Sequence, residues 1–286
     1  MEQKGVTKKR FLINVVGIIL ASAFAIVIHA VLPAPVDEII FDGFFVRLFG
    51  FPAVAISYFL ILFIHCAVVL QSFGSKSGLP KLEIGFRFGM AFALLYLMGM
   101  QEVVVEASPF NAWGYDYVLY QLFMGLGDAI PVLLLCLTLS CFISRPIKKS
   151  ISINYLNFWR KATIVGLFSS SFFIQRVIGY VTGLVESNIS TYPLQTYIWT
   201  VLFGAILGCA YIILYPVFAT ERKILPFTIK LSLITIGLNW IIFNSFIGLI
   251  FSGTMIQMFI RSGMDLIVFF LVSLLVFEYG IMQEEY

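Results

Sequence analysis

The sequence predicts an all-α polytopic membrane protein, a bundle of about eight transmembrane helices. Three observations carry this: 60% of residues are apolar, only 12% are charged, and the mean hydropathy is +1.00. A soluble core of this size would need far more polar surface around it. Crossing a hydrocarbon layer takes about 20 apolar residues. The 286 residues hold eight such runs joined by short connections, so a single membrane domain over 1–286 is expected.

The first run follows Lys4, Lys8, Lys9 and Arg10 and extends from Phe11 to about Leu32. It outlasts the 7 to 15 residue core of a secretory signal and is read as a permanent span, 11–32. The remaining spans are placed at about 51–72, 85–101, 117–143, 162–184, 194–218, 227–251 and 255–278. Laying charges on this map tests it, because Lys and Arg in short loops stay on the cytoplasmic side. With the N-terminus inside, 15 of the 18 basic residues fall on the inner face. The outer loops hold Arg47 with Asp37, Glu38, Asp42, Asp116 and Glu186. Because the bias never switches sides, both termini are expected in the cytoplasm of a cell membrane, of bacterial inner or plasma type.

Segment 38–50, EIIFDGFFVRLFG, is too short to cross and is read as a loop over helix ends or an interfacial lid. In 107–116, Trp113 and Tyr115 suit the headgroup level. Asn188-Ile-Ser190 matches a glycosylation sequon in an outer loop. Cys66, Cys136, Cys141 and Cys209 lie in apolar runs without a close CxxC pair and are read as buried small hydrophobes. No metal or cofactor is implied. The net charge of +3 is spread over short loops, which excludes a nucleic-acid footprint and points to the lipid bilayer as the partner.

An ordered set of matches hints at duplication into halves 1–150 and 151–286. Val16-Gly17 echoes Val165-Gly166, Cys66-Ala67 echoes Cys209-Ala210, and Leu79-Pro80 echoes Leu225-Pro226. Asp128 and Asp265 each follow closely on a glycine and precede a long aliphatic run. Such a weak 4+4 parallel repeat would place a ligand site between the halves.

The informative residues are charges set where hydrocarbon should be, each costing at least about 2.5 to 3.5 kcal/mol if unpaired. Asp128 lies near the middle of the fourth span, Gln175 and Arg176 interrupt the fifth, and Arg261 and Asp265 interrupt the eighth. Arg261 and Asp265, four apart, share a helix face and are expected to pair, leaving Asp128 for Arg176. At the outer end of the third span, Glu102 and Glu106 also share a face and are expected to reach outer water, or else to bind a cation or act as acid and base. His29 is near enough to approach them, whereas His65 lies deeper. Each is read first as a packing histidine.

Gly125-Leu126-Gly127-Asp128 resembles the GxGD string of intramembrane aspartyl proteases, over these four positions alone. Such an enzyme requires a second aspartate on a neighbouring helix. Asp116 lies on the same span, and Asp265 lacks the surroundings that the resemblance implies. Close helix packing explains the small residues more simply. Pro131, Pro216, Gly179, Gly183, Gly237 and Gly248 are candidate bends.

Three classes of function fit. First is a permease or transporter-like protein for a small solute or ion, with a midmembrane polar cavity touching Asp128, Arg176, Arg261 and Asp265. Second is a noncatalytic subunit or regulator bound to a membrane protein partner, with closed packing around those charges. Third is a membrane-embedded enzyme using Glu102 and Glu106, with His29, in a cleft at the outer leaflet.

Overall fold

The computed structural model describes residues 2–32, 41–105, 114–143 and 156–281. Among them there is no strand, and eight helices are long and apolar enough to cross a membrane. The first span is α1 (Glu2–Val31), followed by the short α2 (Phe44–Phe49). The second is α3 (Phe51–Val69), continued by a π-helical turn over Leu70–Gly74. The third joins α4 (Lys81–Gly99) to α5 (Glu102–Val105), and the fourth is α6 (Tyr115–Ser140). The fifth and sixth are α7 (Phe158–Thr182) and α8 (Pro193–Phe218). The seventh runs through α9 (Ile224–Thr228), a π-helical stretch Ile229–Gly237 and α10 (Leu238–Ile250); the eighth is α11 (Met255–Ile281).

Helix is the form that satisfies every backbone polar group within its own segment, as an apolar surrounding requires. The ends carry local signals. Asn157 caps α7 by accepting the Arg160 amide at 2.9 Å, and Gly183 stops it in a left-handed conformation at φ 71°. Pro193 opens α8 at its first turn. Pro131 and Pro216 sit inside unbroken α6 and α8. The irregular stretches are the two π-helical ones, and the longer ends on Gly237, one of the expected bends.

Successive spans run antiparallel, and small residues let them approach closely. A Cβ on Gly204 would stand 2.8 Å from Ser169 Cα, and one on Gly85 would stand 2.7 Å from the Cys136 carbonyl oxygen. These glycines join the fifth span to the sixth and the third to the fourth. The neighbours are few. The first span packs on the second and fourth, the third on the fourth, the fifth on the sixth and eighth, and the seventh on the eighth. The third also meets the sixth, and the second meets the seventh. Aliphatic side chains such as Ile19, Val27, Ile178 and Leu271 point outward from the bundle.

Segment 41–50 is fastened to the end of α10. The Gly43 amide donates to the Ile250 carbonyl at 2.9 Å, and the Ser252 amide donates to Asp42 Oδ1 at 2.9 Å. Phe41 stacks on Phe51 with centroids 4.3 Å apart. These two hydrogen bonds from the Ser252 hydroxyl and amide hold the exposed Asp42 carboxyl below its ordinary value of 3.8. Of the reading for 38–50, positions 38–40 lie outside the described residues, as does Trp113. Cys66 and Cys136 are buried and Cys209 is half-buried, but Cys141, at the end of α6, is exposed.

Candidate functional site

The costly residues gather in the half of the bundle nearest segments 41–50, 183–192 and 251–254, which we call the distal half. They form two assemblies. In the first, Arg176 of α7 reaches Asp265 of α11 through two hydrogen bonds, Nε to Oδ1 at 3.0 Å and Nη2 to Oδ2 at 2.7 Å. The same Nη2 lies 2.8 Å from Glu102 Oε1 of α5, and Arg261 Nη1 lies 3.6 Å from that oxygen. Trp240 donates its indole N–H to Asp265 Oδ2 at 3.0 Å. The guanidinium sits over the Phe172 and Trp199 rings, 5.0 and 5.6 Å from their centroids. All four charged side chains are at most 3% exposed, and among the described residues two arginines meet two carboxylates. A bidentate guanidinium fork suits this sealed arrangement better than an ammonium would.

The second assembly is a pair. His29, in the last turn of α1, shares a hydrogen bond with Asp128 Oδ1 across 2.9 Å, and its ring meets Phe59 edge-on at 5.3 Å. Among the described residues, His29 is the polar partner the structure gives Asp128.

These partners differ from those expected. Asp265 is held across helices by Arg176 rather than by Arg261 on its own helix, because α7 packs directly on α11. Asp128 pairs with His29, not Arg176, because α6 lies against α1 and not against α7. Glu102 is buried beside two arginines and does not reach water. Glu106 lies outside the described residues. His65 is a packing histidine as read: its Nε2 meets the Ile234 carbonyl at 2.9 Å and its Nδ1 lies 3.2 Å from Asn239. Asn239 also donates to Tyr96 at 2.9 Å, tying the second, third and seventh spans together.

A cavity of about 630 Å³ opens between α1, α3, α6 and α10, and its walls carry His29, Asp128, Glu102, Gln121 and Asn244. Arg176, Arg261 and Asp265 are not among its lining residues. The cavity therefore touches one charge pair and only the carboxylate edge of the other. Asn244 is buried and its Nδ2 has no hydrogen-bond partner among the described residues. Asn239 and Asn244 escaped the sequence reading, although amides inside an apolar span were the available signal. A second, apolar cavity of about 440 Å³ lies on the other side of Tyr58, whose hydroxyl donates to the Phe243 carbonyl at 3.2 Å.

The GxGD resemblance finds no second carboxylate beside Asp128 among the cavity residues other than Glu102, which the arginines engage. Its glycines are packing surfaces: a Cβ on Gly125 would stand 3.0 Å from Leu97 Cα, and one on Gly127 would stand 2.8 Å from Ile28 Cγ2. No group of three or more potential metal ligands occurs among the described residues.

No family model, curated protein or solved structure matches the chain.

Proposed function

We propose that the protein is a permease that binds a small, largely apolar solute in the 630 Å³ cavity and passes it across the membrane. The observation that carries this reading is the cavity itself, which falls in the size range of small-molecule sites, about 300 to 1,000 Å³. Its apolar walls hold a few convergent polar groups, the combination that fixes a ligand's orientation. On this reading both termini are cytoplasmic and the distal half faces outward, in a bacterial inner or plasma membrane. The gathering of basic residues at the opposite end supports that orientation.

The neighbour pattern supports two related halves. Advancing every span by four turns the contacts 1–2, 1–4 and 3–4 into 5–6, 5–8 and 7–8, and turns 3–6 into 2–7. His29–Asp128 then corresponds to Arg176–Asp265, each pair joining the first and last spans of its half. The cavity lies where the second and seventh spans meet across the halves, the position a parallel repeat assigns to a substrate.

The test is single-cysteine labelling in a cysteine-free background, at Ala55→Cys and Asn244→Cys, with a membrane-impermeant thiol reagent. Labelling from the outside, shifting to the inside under a solute or ion gradient, is the expected result. Protection from both sides in folded protein would sink the permease and favour a noncatalytic subunit, whose expected closed packing the Arg176 network already displays. An acid–base enzyme built on Glu102 gains no support, since that carboxylate is committed to arginines.

A further inference from the structure

We propose that the cavity takes a lipophilic organic cation, and that its binding displaces a proton held by the His29–Asp128 pair. The inference rests on the reading of the cavity as the solute site and names the class of solute. It begins with charge. Among the described residues, Glu102 and Asp265 stand against Arg176 and Arg261, two charges of each sign. Asp128 is balanced by His29 alone among the described residues. Histidine is the side chain whose ordinary charge change falls near neutral pH. With His29 protonated the wall is neutral; with His29 neutral the wall carries one negative charge in apolar surroundings, where a cation is the favoured partner.

The rest of the wall fits the body of such a ligand. Phe41, Phe51, Phe59, Tyr120, Phe243 and Phe246 line the cavity, and ring faces attract a cation most strongly once water is excluded. Asn244 Nδ2, buried at 7% exposure and without a partner among the described residues, offers a donor to an acceptor atom on the ligand. An anion finds no such welcome, because both arginines stand behind Glu102 and the two acidic side chains on the wall are Glu102 and Asp128. The titratable and charged groups facing His29 are Asp128 and Tyr120 from α6, Tyr58 from α3 and Glu102 from α5; α10 contributes the uncharged Asn244. The exchange balances: one monovalent cation enters, the imidazolium N–H gives one proton to water, and the net charge of the site is unchanged.

The probe is tetraphenylphosphonium, with tetraphenylborate as its counterpart of the same shape and opposite charge, on the purified full chain in lipid nanodiscs. Saturable phosphonium binding is expected, with release of about one proton per cation in weakly buffered acidic medium. Apparent affinity should rise with pH wherever a proton is exchanged for the cation. Asp128→Asn should weaken binding at least about tenfold, and His29→Gln should abolish proton release and flatten the pH profile. Absence of saturable phosphonium binding, preference for the borate, unchanged affinity in Asp128→Asn, or binding without proton release would overturn the proposal. Proton release is read on the unaltered protein, so failure of a variant to fold leaves the decision intact. Binding with proton release but no movement in proteoliposomes would sink the permease and leave this inference standing. Transport of solutes irrespective of charge would do the reverse.

Discussion

The His29–Asp128 and Arg176–Asp265 pairs do the same topological job with different chemistry. One joins the first span to the fourth and the other the fifth to the eighth, yet one base is a histidine and the other an arginine, which never loses its charge. The arginine pair is enclosed by Trp240, Phe172 and a second carboxylate, whereas the histidine pair stands on a cavity wall. The fifth and eighth spans are closed by a permanent clamp, and the pair between the first and fourth is left open to a cavity.

Arg176→Met should break this contrast most severely. It strands Glu102 and Asp265 in a sealed site, and loss of one partner from a buried ion pair costs about 3 to 5 kcal/mol. A large fall in thermal unfolding temperature in detergent is expected; unfolding like the unaltered chain would show that the clamp does not anchor the bundle. Asp128→Asn should cost less, about 1.5 to 3 kcal/mol for a hydrogen bond to a charged group. The same melting measurement checks it, and a loss equal to that of Arg176→Met would erase the distinction between clamp and switch. Gly204→Ala separates charge from packing in the clamped half. Its Cβ would enter the 2.8 Å gap to Ser169 Cα, with a cost of about 1 to 3 kcal/mol. Unchanged stability there would assign the rigidity of that half to its charges alone.

The smallest effect concerns the fastening over the cavity rim. The Asp42 carboxyl is held below its ordinary value of 3.8 by Ser252, so its contribution is complete above that value and is lost as pH falls through the lower folded value. Hydrogen-exchange protection of the Ser252 amide, corrected for intrinsic rates, should therefore drop only in that acid range. Asp42→Asn should show no such drop, and an equal one would assign the effect to another group.

The spans were legible because hydropathy registers length and little else. The third shows the limit: it begins at Lys81, before the expected 85, because Glu83 and Arg87 pair with each other and are accommodated in the helix. The buried charges were legible as costs. Asp128, Arg176, Arg261 and Asp265 lie in the interior, as the expense of exposing them to lipid requires. Their partners were not legible, because partner choice depends on which spans are neighbours, and spacing along one helix carries no such information. Arg261 and Asp265 had the right separation, but α7 brought a better fork. His29 was read first as a packing residue and otherwise set beside Glu102 and Glu106, because a lone histidine in a terminal turn has no spacing that points to Asp128. Of the π-helical stretch Ile229–Gly237 only the closing Gly237 was marked, as a bend; nothing along one helix announced that it presents the Ile234 carbonyl to His65.

α1 is the least enclosed of the eight spans, and among the described residues it packs chiefly on the second and fourth. It also carries His29 in its final turn, so in a bilayer lipid, more than protein, would surround the helix that positions this base. A span held this way answers to bilayer thickness by tilting, at a cost of fractions of a kcal/mol per Å of mismatch. Tilt of α1 would move its last turn relative to Asp128, while α7 and α11 are joined through Arg176. The thickness of a surrounding membrane would then act as a mechanical input to the histidine pair more than to the arginine pair.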